Sequence, residues 1–169
     1  MERSRTANAN VSETLDRATG INPEAPVIGK SELEIPAPPE SVWAVLTDFD
    51  RWPIWNADVK SMQFRGPVAP GSAFRWKAGP GTICSVIERV EPPGLVAWTG
   101  TTLGIRATHC WILEPQDGRT LVRTEESYDG LIARVFRRSL QKALDEALDR
   151  GLRYLKTEVE RQTAASAPG

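Results

Sequence analysis

The chain has 169 residues, a quarter of them charged, and a net charge of −1. That length suits one domain with a real core, and the charge balance argues against a basic nucleic-acid surface or an acidic tail, so no nucleic-acid partner is expected. No run approaches the ~18 apolar residues that a helical membrane span needs.

Residues 1–25 read as a flexible N-terminal arm, polar and non-periodic and ending in Asn22-Pro23-Glu24-Ala25-Pro26, with room for one or two helical turns over 11–18. No apolar stretch of a secretory signal is found near Met1, so a cytoplasmic location is expected and the sequon Asn10-Val11-Ser12 reads as chance. Alternation begins at Val27. In residues 30–35 the charges fall on one face, with Leu33 and Ile35 on the other, predicting a strand. Pro36-Ala37-Pro38-Pro39 stops it and opens a short helix with Glu40 in its first turn and an apolar face of Val42, Trp43, Val45 and Leu46. The segment 48–56, DFDRWPIWN, reads as a turn and a second short helix starting near Trp52-Pro53.

Six strands follow, at about 59–65, 72–78, 82–91, 95–101, 105–114 and 120–129. Pro70-Gly71, Gly79-Pro80-Gly81, Pro92-Pro93-Gly94 and Asp117-Gly118 punctuate them, which predicts an antiparallel meander rather than βαβ units. The last element is a long helix over 131–162, with Ile132, Phe136, Leu140, Leu144, Leu148, Leu152, Leu155 and Val159 forming one apolar stripe. The basic run from Arg134 to Lys142 reads as a solvated helix face, because Asp145, Glu146 and Asp149 follow it. Residues 163–169 read as a disordered tail. The fold class expected is therefore α+β: a curved antiparallel sheet of about seven strands wrapped on a long C-terminal helix, with two short helices after the first strand. Residues 26–162 form the domain.

Chemistry-bearing motifs are few. GxGxxG, a P-loop and GxSxG are all missing, and His109 is the one histidine. No metal site and no cofactor are expected, and Cys84 and Cys110 read as free thiols. Strand parity supplies the rest. With Glu114 marking the outside of its strand, Ala107, His109, Trp111 and Leu113 face inward. With Arg123 and Glu125 outside, Val122, Thr124, Glu126 and Tyr128 face inward. Arg75 and Lys77 put Phe74 and Trp76 inside, and Trp98 shares a face with Val96. Phe74, Trp76, Trp98, Trp111 and Tyr128 are the expected ligand-binding residues, against the plain alternative that they are core. Trp43, Trp52 and Trp55 read as packing for the short helices. The 82–91 strand has two faces too alike to separate.

An inward carboxylate is costly without a partner, a water or a raised pKa, so Glu126 and His109 are the candidate catalytic pair. Their strands are consecutive, which makes them cross-strand or diagonal neighbours. Structural hydrogen bonding is the competing reading for each.

The set Trp43, Asp48, Trp52-Pro53, Trp55-Asn56, Gly71, Phe74-Arg75-Trp76, Trp98-Thr99-Gly100, His109, Trp111, Glu114-Pro115 and Glu125-Glu126-Ser127 resembles the START-like superfamily. That superfamily is also called Bet v 1-like, SRPBCC or helix-grip, and the likeness is to its polyketide cyclase/dehydrase-like branch, from Val27 to the end of the long helix. The resemblance implies a helix-grip fold and an internal cavity for a hydrophobic small molecule, lipid or polyketide-like. It also admits a cyclase/dehydratase with Glu126 or His109 as base and Tyr128 donating to a carbonyl. Whether the chain is an enzyme stays open, as does assembly into a homodimer or action through a protein partner.

Overall fold

The computed structural model describes residues 20–166. The turns expected over 11–18, most of the arm and the last three residues lie outside the described residues. The elements are β1 (Val27–Ile35), α1 (Pro39–Thr47), a 3-10 turn (Phe49–Arg51), α2 (Trp52–Trp55) and β2 (Val59–Phe64). They continue with β3 (Ala73–Ala78), β4 (Gly81–Glu91), β5 (Leu95–Thr102), β6 (Ile105–Gln116), β7 (Arg119–Asp129), α3 (Leu131–Val135) and α4 (Arg137–Ser166).

All seven strands form one antiparallel sheet in the order β1-β7-β6-β5-β4-β3-β2. This is the predicted α+β, START-like fold. The meander β2 to β7 needs only tight turns, and β1 closes it by pairing with β7, so the chain's first and second strands are the two edges. A 30-residue helix is about 45 Å long, enough for α4 to cross the sheet. Its buried stripe is Leu144, Leu148, Leu152, Leu155 and Val159.

Gly29 permits a close helix–sheet approach. A Cβ on Gly29 would lie 2.8 Å from Leu144 Cγ and 2.9 Å from Leu148 Cδ1. The core gathers under α1 and α2, where Phe49 sits 4.9 Å from Trp52, 5.1 Å from Phe64 and 5.2 Å from Phe74 between ring centroids. Trp52 is anchored there by its indole N–H, which donates to the Leu46 carbonyl at 2.8 Å.

Three expectations change. The C-terminal helix is broken: α3 ends at Val135 and α4 starts at Arg137, with Phe136 at φ −101°, ψ 23°. Ile132 and Phe136 therefore leave the buried stripe and are exposed. At the other end α4 continues past Gln162 to Ser166, and the Thr163 and Ser166 hydroxyls donate to the carbonyls of Val159 and Gln162. Finally, the arm's last described residues are docked: Ile21 is buried, and the Asn22 amide group donates to both Asp129 carboxylate oxygens at 3.0 Å.

The ambiguous strand, β4, has a physical cause for its ambiguity. Its register against β5 shifts between Ile87 and Arg89, a β-bulge. Ser85 and Ile87 are buried on the concave side, and Val90 packs against the same core after the bulge. Parity therefore changes partway along the strand, which no single alternation pattern can show.

Candidate functional site

Between α4 and the concave face of the sheet lies a cavity of about 640 Å³. Its floor comes from adjacent strands, with Ser85 of β4, Trp98 of β5, His109 and Trp111 of β6, and Glu126 and Tyr128 of β7. Its roof is the α4 face carrying Leu140, Ala143, Ala147 and Gly151. Ala143, Ala147 and Gly151 leave volume where larger side chains would fill the gap. Of the other lining residues, Lys60, Leu103, Ile132 and Arg150 are also exposed, which places them at its rim, and Asp58 is half-buried.

Register brings the polar residues together. His109 pairs directly with Glu126 across β6 and β7 and with Trp98 across β5 and β6. The His109 ring is 4.8 Å from Trp98 and 5.5 Å from Trp111 between centroids, nearly parallel to the latter at 29°. Trp76, Trp52 and Trp98 extend the aromatic wall, at 5.8 Å and 5.7 Å between successive rings. Trp76 is held by an indole N–H donating to Ser85 Oγ at 3.1 Å.

Burial sets the protonation states. Desolvation lowers the His109 pKa to about 3 and raises that of Glu126 to about 8. At neutral pH the pair is therefore a neutral imidazole beside a protonated carboxyl. His109 Nε2 is 2.8 Å from Thr124 Oγ1, while Nδ1 is 3.6 Å from Glu126 Oε2. The Thr124 hydroxyl can donate to Nε2 or accept from it, so this contact is compatible with either tautomer of the neutral ring. The gap of 3.6 Å is too long for a direct hydrogen bond, and a ligand oxygen bound there would reach both groups. Tyr128 joins this polar side, its phenol pKa raised by burial and by the neighbouring Glu126.

Four buried polar atoms on the cavity wall have no hydrogen-bond partner among the described residues: Trp55 Nε1, Thr102 Oγ1, His109 Nδ1 and Trp111 Nε1. These atoms give an otherwise apolar wall fixed hydrogen-bonding positions, which suits a molecule that carries matching atoms on an apolar frame.

Most of the predicted site residues, then, converge on one cavity: Trp76, Trp98, His109, Trp111, Glu126 and Tyr128. Phe74 does not line it. Its ring faces inward as parity requires, but packs behind the wall against Phe49, Phe64 and Trp98, edge-on to the last two. Trp52 and Trp55, expected only to pack the short helices, line the cavity as well. A cavity between sheet and long helix was expected, but not the helix residues that line it, although Ala143, Ala147 and Gly151 recur every fourth residue on one helix face.

Comparison with known proteins accords with this geometry. The model of the family described as polyketide cyclase / dehydrase and lipid transport matches residues 28–160. The chain belongs to that family. A search of curated proteins found no match. Among solved structures, a hypothetical protein, jhp0584, from Helicobacter pylori superposes with a TM-score of 0.74 at 18% identity, covering 82% of this chain and 91% of that one. The Zhui aromatase/cyclase from Streptomyces sp. R1128 gives 0.71 at 17% identity, covering 83% and 98%. A START superfamily protein from Mycobacterium smegmatis gives 0.70 at 15% identity, covering 80% and 98%. At these identities the likeness establishes the fold.

Proposed function

We propose that this family member binds a neutral, largely apolar small molecule, lipid or polyketide-like, in the cavity between α4 and the sheet. The observation that carries this reading is the wall itself: aromatic rings in mutual contact, interrupted by unpaired polar atoms at Trp55, Thr102, His109 and Trp111. Apolar area drives such binding at about 25 cal/mol per Å², and the unpaired groups orient the ligand. Neutral His109 and protonated Glu126 leave the floor without a formal charge at pH 7, which disfavours a ligand whose charge must sit there.

Native mass spectrometry of the purified chain tests this by revealing a co-purified small molecule. Fluorescence titration extends the test, since Trp76, Trp98 and Trp111 line the site. The expected result is saturable quenching by long-chain fatty alcohols or by hydroxylated polycyclic aromatics. No bound mass and no spectral change with either class would overturn the reading.

A second reading, turnover of a hydroxy-carbonyl ligand by dehydration, is favoured by the His109–Glu126 pair. His109 Nδ1 would take the proton α to a carbonyl while the Glu126 carboxyl protonates the departing hydroxyl, which leaves as water. The C–H electron pair becomes the new double bond. The resulting imidazolium and carboxylate are neighbours, and transfer of the proton back restores both groups. Loss of product formation in Glu126→Gln and His109→Ala, with ligand binding retained, is the expected signature. Full turnover in both variants would remove these roles.

A further inference from the structure

Next to the cavity rim the protein exposes large apolar side chains that its own packing does not explain. Leu131, Val135 and Phe136 are 73%, 64% and 54% exposed, and Leu103 in the β5–β6 turn is 65% exposed. The two segments touch: a Cβ on Gly130 would lie 2.5 Å from the Gly104 carbonyl oxygen, and one on Gly104 would lie 3.4 Å from Ile132 Cγ1. Glycine at both places, with φ of +113° and +77°, lets the turn and α3 meet as one surface. Leu103 and Ile132 belong both to this surface and to the cavity lining.

The exposed charges around the patch are mostly basic. Arg134, Arg137 and Arg138 are exposed within the same short run, and Arg106 is exposed on the adjoining strand. Acidic residues are fewer: Asp129 is the cross-strand partner of Arg106, and Asp145 and Glu146 lie about two turns beyond Arg138 on α4. Asp129 accepts from Asn22, Asp145 from Gln141, and Glu146 pairs with Lys142 and Arg150. Solvated basic side chains alone would need no explanation. Interleaved with protruding Leu, Val and Phe, they match the boundary of an anionic bilayer, with apolar groups entering the acyl layer and guanidinium groups on phosphates. A second copy of the chain fits less well, since the arginines of two identical patches would face each other.

We propose that the surface formed by α3, Phe136 and the β5–β6 turn docks on an anionic lipid membrane, bringing the cavity rim against the bilayer. A hydrophobic ligand could then pass between acyl layer and cavity without crossing water. The docking itself requires no ligand, so it stands or falls separately from the cavity's function.

Vesicle co-sedimentation of the full chain tests it, using phosphatidylcholine alone and phosphatidylcholine mixed with phosphatidylglycerol. The wild type is expected to sediment with the mixed vesicles and not with the neutral ones. Binding should fall in about 1 M salt, where the screening length is ~3 Å. Arg134→Gln/Arg137→Gln/Arg138→Gln should weaken partitioning on the order of a hundredfold. Leu131→Glu/Phe136→Glu should weaken it at least about tenfold, because burial of the two side chains is lost and charge is added. All these side chains are exposed, and an unchanged circular dichroism spectrum and melting curve would show the variants folded. Failure of the wild type to bind mixed vesicles at low salt would overturn the proposal. So would binding unaffected by both sets of substitutions. Self-association abolished by Leu131→Glu/Phe136→Glu, with no vesicle binding, would instead assign the patch to a second copy and also overturn it.

Discussion

A carboxyl pushed up and an imidazole pushed down, at paired positions on neighbouring strands, make the pH dependence of this protein specific. Folding holds Glu126 protonated up to about 8, whereas an unfolded chain releases that proton near its ordinary value of 4.5. Between those two values the native state binds more protons, so Glu126's contribution is full below about 4.5 and is lost as pH rises towards 8. His109 acts oppositely. Its folded pKa of about 3 lies below the ordinary 6.5, so its contribution is full above 6.5 and is lost as pH falls towards 3. Glu126→Gln keeps the neutral shape and removes the first dependence. It should therefore melt above the wild type at pH 8, with the difference fading towards pH 4.5, as thermal denaturation across that range would show. A wild-type advantage at pH 8 would mean that Glu126 is ionised in the fold.

At the scale of elements, α4 is tuned to stand close to the sheet at one place and away from it at another. Gly29 provides the close approach, and Gly29→Val should cost about 1–3 kcal/mol because Leu144 and Leu148 must move. Along the roof the opposite holds. A Cβ on Gly151 would meet only Trp111 Cη2, at an ordinary 3.8 Å. Gly151→Ala should therefore raise stability by about 0.5–1 kcal/mol through helix propensity, measurable by chemical denaturation. Ala147→Leu fills the cavity from the roof. It should weaken binding of any cavity ligand by at least about tenfold in fluorescence titration, while the melting temperature holds or rises.

At the scale of the whole molecule, one ion pair joins α4 to the far rim of the cavity: Arg150 Nε lies 2.9 Å from Asp58 Oδ2. Both side chains are more than a third exposed, so the pair adds at most about 1 kcal/mol to stability. Asp58→Asn should leave the melting temperature nearly unchanged and accelerate ligand dissociation, as stopped-flow fluorescence would report. Much of the molecule was legible in its residues. Turn signals such as Asp117-Gly118 and alternation along β6 and β7 encode the strands locally, so strand count, inward faces and the convergence of His109 with Glu126 follow from parity. The parts that parity could not reach depend on contacts between distant segments. The β4 bulge is chosen by its pairing with β5, and Phe74 is walled off by Phe49, which lies 25 residues earlier. The break at Phe136 interrupts an apolar stripe that continues in the sequence. The sequence by itself determined which faces are apolar, because that is a property of spacing along the chain. Tertiary structure alone decided which apolar faces are filled, which enclose a cavity and which stay exposed at its rim, because those outcomes depend on the distance between elements.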